Sequence, residues 1–144
     1  MPTASVERQI ESRLRDRDVR YTRGRRALIG ALSSADGPKS ASELFVELGM
    51  PLSSVYRSLN VLEEAGVVIP HHGARGLTRY EMAEWLAGHH HHLVCVNCGS
   101  VEDIQIPQGH ETRLTSIIRD VATAASFTPT DHSLEIEGRC SRCA

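Results

Sequence analysis

The sequence predicts an α+β chain with an N-terminal winged helix-turn-helix and a ligand-rich C-terminal half of mixed strands and helix. Three observations predict it. Short amphipathic helical patterns in the first half lead into a hairpin pattern. Charge divides along the chain, with 12 Lys and Arg against 9 Asp and Glu before position 80, and 4 against 9 from there on. All 8 His and all 4 Cys lie at position 71 or later.

The elements follow in order. Residues 5–17, SVERQIESRLRDR, place Val6, Ile10 and Leu14 four apart, a helix with a thin apolar stripe. Thr22 can cap a second helix that carries Ala27, Leu28, Ala31 and Leu32 and stops at Asp36-Gly37. SASELFVELG is a capping box, Ser40 with Glu43, that ends at Gly49. A fourth helix starts near Ser53, buries Val55, Leu59 and Leu62, and ends at Gly66. Val67–Ile69, a turn HHGARG and Leu77–Glu81 then read as the hairpin wing. In a winged motif the last helix before the hairpin enters the major groove of DNA. Its exposed residues here are Ser53, Ser54, Tyr56, Arg57 and Asn60, whose hydroxyl, guanidinium and amide groups bond phosphates and base edges. Arg23, Arg25 and Arg26 open the second helix and are further candidates for phosphate. The competing reading is a solvated face, or a winged module that docks protein.

Cys95-x-x-Cys98 and Cys140-x-x-Cys143 form a four-thiolate set that suits one closed, structural, tetrahedral zinc. A single such pair would also suit a redox dithiol; two pairs favour metal. They would tie a hairpin, Leu93–Val96 with Val101–Ile104, to a last strand in which Leu134 and Ile136 alternate. Leu114, Ile117, Ile118 and Val121 mark an amphipathic helix between them. The run His89-His90-His91-His92 is internal and so is not read as a terminal tag. It leads into a strand, where successive side chains face opposite ways. His89 and His91 then form one pair and His90 and His92 another, which points to two further metal sites.

Several classes are disfavoured. Aromatic residues are 4% of the chain, which argues against stacking on single-stranded nucleic acid. No apolar run reaches membrane-spanning length, and the first 26 residues carry 8 Arg with no signal-peptide core, so a cytoplasmic protein is expected. A zinc-dependent enzyme would need an open coordination position and a base. Glu84 and Glu102 are candidate bases, but H-E-x-x-H and H-x-E…P-C-x-x-C are absent. A metal-buffering protein would use the ligands but leave Tyr56 and Arg57 without a role.

The stretches YTRGRRALIGAL, SASELF, SSVYRSLNVLEEAGVV, RYE, HHHHLVCVNCGSVED and DHSLEIEGRCSRC make the chain resemble the ferric uptake regulator (Fur) family of bacterial metal-dependent repressors over nearly its whole length. The resemblance implies a winged-helix DNA-binding domain, residues 1–82, and a C-terminal α/β dimerisation domain, residues 83–144. It implies a homodimer on a double-stranded DNA operator, with the zinc of the four cysteines as a structural metal. It also implies a regulatory site of Glu81, His90, His92 and Asp103. A histidine that the family often adds is replaced by Pro38, and His71 or His72 is the candidate substitute. A second site would use His89, His91 and His132, with Glu111 or His110 as its fourth ligand. Zinc-sensing members of the family usually carry a cysteine near the place of Ala83, and this chain has none there. A nitrogen and oxygen site suits Fe(II), Zn(II), Mn(II) or Ni(II), with Fe(II) or Zn(II) expected.

Overall fold

The computed structural model describes residues 2–73 and 76–144. The front of the chain runs α1 (Ala4–Arg15), α2 (Arg23–Ser33), β1 (Lys39–Ser40), α3 (Ala41–Leu48), α4 (Leu52–Glu64), β2 (Val68–His72) and β3 (Thr78–Met82). A short α5 (Glu84–Ala87) leads to β4 (His91–Cys95), β5 (Val101–Ile104), α6 (Gln108–Ala124) and β6 (Glu135–Gly138). There are two three-stranded sheets among the described residues, ordered β1-β3-β2 and β5-β4-β6.

The front core is aliphatic. Ile10, Leu14, Leu28, Ile29, Leu44, Val55, Leu59, Leu62, Val67 and Val68 are fully buried in one cluster. Burial of a Leu or Ile side chain contributes about 1.5–3 kcal/mol, so the helical stripes are what hold α1–α4 on the sheet. The capping box forms as its sequence implies: Glu43 N–H donates to Ser40 Oγ, and the Glu43 carboxylate accepts from Ser40 N–H. Gly49 ends α3 in the left-handed conformation, and Pro51 precedes α4. These two helices and the three residues between them make the helix-turn-helix.

Several expected boundaries move. The second helix stops at Ser33, before Asp36-Gly37. His71 and His72 lie within β2 rather than in the turn, because the ladder with β3 continues through His71↔Arg79 and His72↔Thr78. The tip of that turn, residues 74–75, lies outside the described residues. The strand expected at Leu93–Val96 is His91–Cys95, so two histidines belong to the ladder itself. Strand β1 and helix α5 carry no local sequence signal and are set by tertiary contact. In α5 the Trp85 indole N–H donates to the Gly66 carbonyl at 2.8 Å, and Leu86 packs on the front core.

The α2–β1 loop docks the front half on the back half. Asp103 N–H donates to the Asp36 carbonyl at 2.9 Å. Beside it, a Cβ on Gly37 would lie 2.3 Å from the Val101 carbonyl oxygen, so only glycine fits. Gly37→Ala is therefore expected to part the loop from β5 at a cost of about 1–3 kcal/mol, the usual range for overpacking. Denaturant titration and hydrogen exchange at the Asp103 amide check this; unchanged exchange would contradict it.

Candidate metal centres and nucleic-acid interface

Strands β4 and β6 pair in parallel, with Cys95 opposite Gly138. Both Cys-x-x-Cys turns therefore leave the same end of the sheet. The four Sγ atoms of Cys95, Cys98, Cys140 and Cys143 lie within 4.8 Å of one another, and none is in a disulfide. Cys98 Sγ is 3.8 Å from Cys140 Sγ. A tetrahedron with zinc–sulfur arms of about 2.3 Å has edges of about 3.8 Å, so the donors fit zinc. The backbone N–H groups of Cys98 and Cys140 point at Cys95 Sγ and lower its pKa to about 5. That thiol is poised as the thiolate a metal needs.

The histidine run divides by face. His90 and His92 turn toward Glu81 of β3: each Nε2 is 2.9 Å from Glu81 Oε2. Asp103 of β5 stands directly across the ladder from His92, 3.4 Å from its Nε2. The four side chains form one cluster of donor atoms. Burial would raise the pKa of Glu81, but the two imidazoles outweigh it and hold the carboxyl below its usual range. Asp103 goes the other way, raised by burial and by the neighbouring Glu81 charge despite His90, His92 and His71. Burial would lower His90, yet Glu81 and the Gly88 carbonyl hold its pKa above the ordinary imidazole value. Its Nδ1 bonds that carbonyl at 3.0 Å, which leaves Nε2 facing the cluster.

His89 and His91 face the opposite way, into a cluster with Glu111 and His132. Glu111, in the first turn of α6, reaches His91 Nε2 at 2.9 Å through one oxygen, and His89 Nε2 at 3.1 Å and His132 Nε2 at 2.8 Å through the other. The hydrogen bond from His91, followed by that from His132, lowers the Glu111 pKa despite desolvation. Every imidazole thus offers Nε2 to a shared carboxylate, a donor set that suits a divalent cation.

Three candidate residues lie outside these clusters. His110 is exposed and turned away, because neighbours on a helix do not share a face, so Glu111 takes the position. His72 is exposed with its Nδ1 3.4 Å from Thr78 Oγ1, on the face of β2 opposite His71. His71 packs its ring 4.5 Å from that of His92, but its Nε2 is taken by Glu135 at 2.9 Å. Glu84, which the sequence offers only as a candidate base, places its carboxylate 2.9 Å from His89 Nδ1.

On α4, Ser53, Tyr56, Arg57 and Asn60 are exposed and Ser54 is half-buried. Arg23 is exposed at the start of α2. The Arg25 guanidinium bends back to the Arg20 carbonyl, and Arg26 pairs with Glu7 at 3.0 Å and lies over the Tyr21 ring. These two arginines are partly occupied by the protein itself.

A winged helix joined to a sheet module with two nitrogen–oxygen donor clusters and a thiolate cluster defines a metal-binding transcription regulator. The chain belongs to the Ferric uptake regulator family, whose sequence profile matches residues 16–137. It is 33% identical over 134 residues to the ferric uptake regulation protein of Vibrio parahaemolyticus, covering 89% of this chain and 85% of that one. Its fold is similar to that of the Vibrio cholerae ferric uptake regulator, with a TM-score of 0.67 and 30% identity over 88% of this chain and 96% of that one. It is also similar to the Helicobacter pylori ferric uptake regulator, described as having three functional metal-binding sites, with a TM-score of 0.76 and 21% identity over 96% of this chain and 91% of that one. The family is one of regulators and not of enzymes. Among the described residues, no helix is long and apolar enough to cross a membrane.

Proposed function

We propose that this chain is a homodimeric, metal-responsive repressor that binds double-stranded DNA when its Glu81–His90–His92–Asp103 cluster holds a divalent metal. The single observation that carries this reading is the origin of the four donors. Glu81 belongs to the wing strand β3, whereas His90, His92 and Asp103 belong to β4, its lead-in and β5. The cluster therefore spans the two halves of the chain, which we divide at residues 82 and 83.

Glu81, His90, His92 and Asp103 would hold the cation, which would supply positive charge against the two carboxylates. The chain's own residues do the rest. Glu81 ties the wing to the β4 histidines, and Asp103 ties β5 and, through its N–H, the Asp36 loop to the same point. A ligand shifts a conformational equilibrium by its differential affinity for the two states. Four donors from both halves favour the docked state, in which the winged modules of a dimer hold one spacing. Fe(II) or Zn(II) is our reading for the regulatory metal, with Mn(II) and Ni(II) compatible with the donors. The cysteine cluster holds a structural Zn(II), and His89, His91, Glu111 and His132 form a second site.

Dimerisation is supported by what one chain leaves uncovered. Ile117 and Val121 of α6 are 58% and 65% exposed, Phe127 is 69% exposed, and β6 is an exposed edge strand bearing Ile136. Exposed apolar side chains and an edge strand call for a covering surface, and a second copy provides one by symmetry.

We assign base or phosphate contact to Ser53, Ser54, Tyr56, Arg57 and Asn60 of α4, with Arg23 and Arg25 as flanking phosphate contacts. Arg57→Ala is expected to weaken metal-activated binding to a preferred duplex by about 1–3 kcal/mol. Fluorescence anisotropy with a duplex selected from a random pool in the presence of Mn(II) measures it. Unchanged affinity in a folded dimer would remove α4 from the interface.

A further inference from the structure

We infer that Glu84 is a positioning residue that orients His89 and couples the second cluster to the winged half of the chain. The inference rests on the reading of His89, His91, Glu111 and His132 as a metal site. His89 Nε2 lies 3.1 Å from Glu111 and 3.2 Å from His132 Nε2, so that edge of the ring faces the cluster. The opposite edge carries Nδ1, 2.9 Å from Glu84 Oε1. An Nδ1–H donated to a carboxylate fixes the tautomer whose lone pair is on Nε2, the atom offered to the cluster, and raises its basicity. His91 does not depend on such a partner: it is 1% exposed, its Nδ1 has no hydrogen bond, and packing holds it. The His89 side chain is 33% exposed and lacks that confinement, so its orientation depends on Glu84.

The place of Glu84 in the fold gives this contact a further consequence. Glu84 opens α5, and α5 is fastened to the front of the chain. Ala83 N–H donates to the Val67 carbonyl at 2.9 Å, and the Trp85 indole donates to the Gly66 carbonyl. The Arg13 guanidinium covers the Trp85 ring at 4.7 Å, and Leu86 packs on the front core. Gly66 and Val67 directly follow α4 and its C-cap, Ala65. A short chain of contacts thus runs from α4 through Gly66 and Val67 to α5, from Glu84 to His89, and on to Glu111 and His132. Gly88 closes the path. Its φ of 84° and ψ of 165° are open to glycine, and that turn folds the histidine run back toward Glu84. Asp131 also comes close, with ligand atoms of Glu84, His89 and Asp131 all within 4.8 Å of one another, while Asp131 Oδ1 accepts the His132 backbone N–H at 2.8 Å.

The test uses the full chain with its cysteine zinc and with His92→Ala, which disables the Glu81 cluster. Calorimetric titration with Zn(II) is expected to show one further ion per chain. Glu84→Ala in that background is expected to lower its affinity 10- to 100-fold, the range for losing an outer-shell partner. Glu84→Gln, which keeps an acceptor oxygen, is expected to recover most of it. Zn(II) is expected to slow amide exchange at Leu86 and Gly88 in the parent, and to fail to do so in Glu84→Ala even at saturation. Unchanged affinity in Glu84→Ala would overturn the positioning role, and retained Zn(II)-dependent slowing would overturn the coupling. A His92→Ala chain that takes up no second ion would instead overturn the metal reading of the cluster, and this inference with it.

Discussion

Cys140→Ser is expected to cost the chain about one zinc ion and the order of its C-terminal sheet. The reason lies in how little else holds that sheet. The side chains of β6 are exposed along the whole strand, and Val94, Cys95, Val101 and Ala122 are the buried apolar residues of the back half from β4 onward. Zinc bound by four thiolates contributes about 10–16 kcal/mol of apparent binding free energy in small zinc modules, comparable to the whole stability of a typical domain. The loss of Cys140 opens the knuckle that anchors β6 beside β4. Metal analysis of the purified variant should give one zinc fewer per chain. Circular dichroism and sedimentation should show lost strand signal and a dissociated dimer. Full zinc content with an intact dimer would exclude the cysteines as a structural centre.

The second large effect separates neighbours in the histidine run. His92→Ala removes an imidazole bonded to a buried carboxylate, Glu81, and facing Asp103. Loss of a ligand should exceed the roughly 10–100-fold penalty for an outer-shell partner, so metal-activated DNA binding should fall by at least about 100-fold. His90→Ala should behave alike. His89→Ala and His91→Ala act on the other face, among Glu111 and His132. They should shift the metal concentration at half-activation and lower stability, yet leave activation in place. The physical basis is the alternation of side chains along a strand. It holds here although His89 and His90 precede the first ladder residue, His91.

That alternation was legible because a strand period needs only local sequence. So were the Ser40–Glu43 capping box and the two Cys-x-x-Cys turns, each a pattern complete within a few residues. What the sequence could not show depends on contacts between distant segments. Whether Glu111 or His110 completes the second cluster is decided by the rotation of α6 about its axis, which no local signal encodes. The sequence offers His71 as a substitute ligand; the contact it makes, Nε2 against Glu135 of β6, comes from a distant segment that no local pattern shows. Glu84 read only as a candidate base, since the turn at Gly88 and the docking of Trp85 on Gly66 are what bring it to His89. Helix α5 is four residues long, too short for periodicity to reveal it.

The most direct measurement is DNA affinity as a function of free metal for the intact chain and for His89→Ala, His90→Ala, His91→Ala and His92→Ala, on one selected duplex at fixed salt. The account predicts tight binding by the intact chain only when metal is present, lost activation for His90→Ala and His92→Ala, and shifted but surviving activation for His89→Ala and His91→Ala. Metal-independent binding by the intact chain, or equal loss in all four variants, would contradict it.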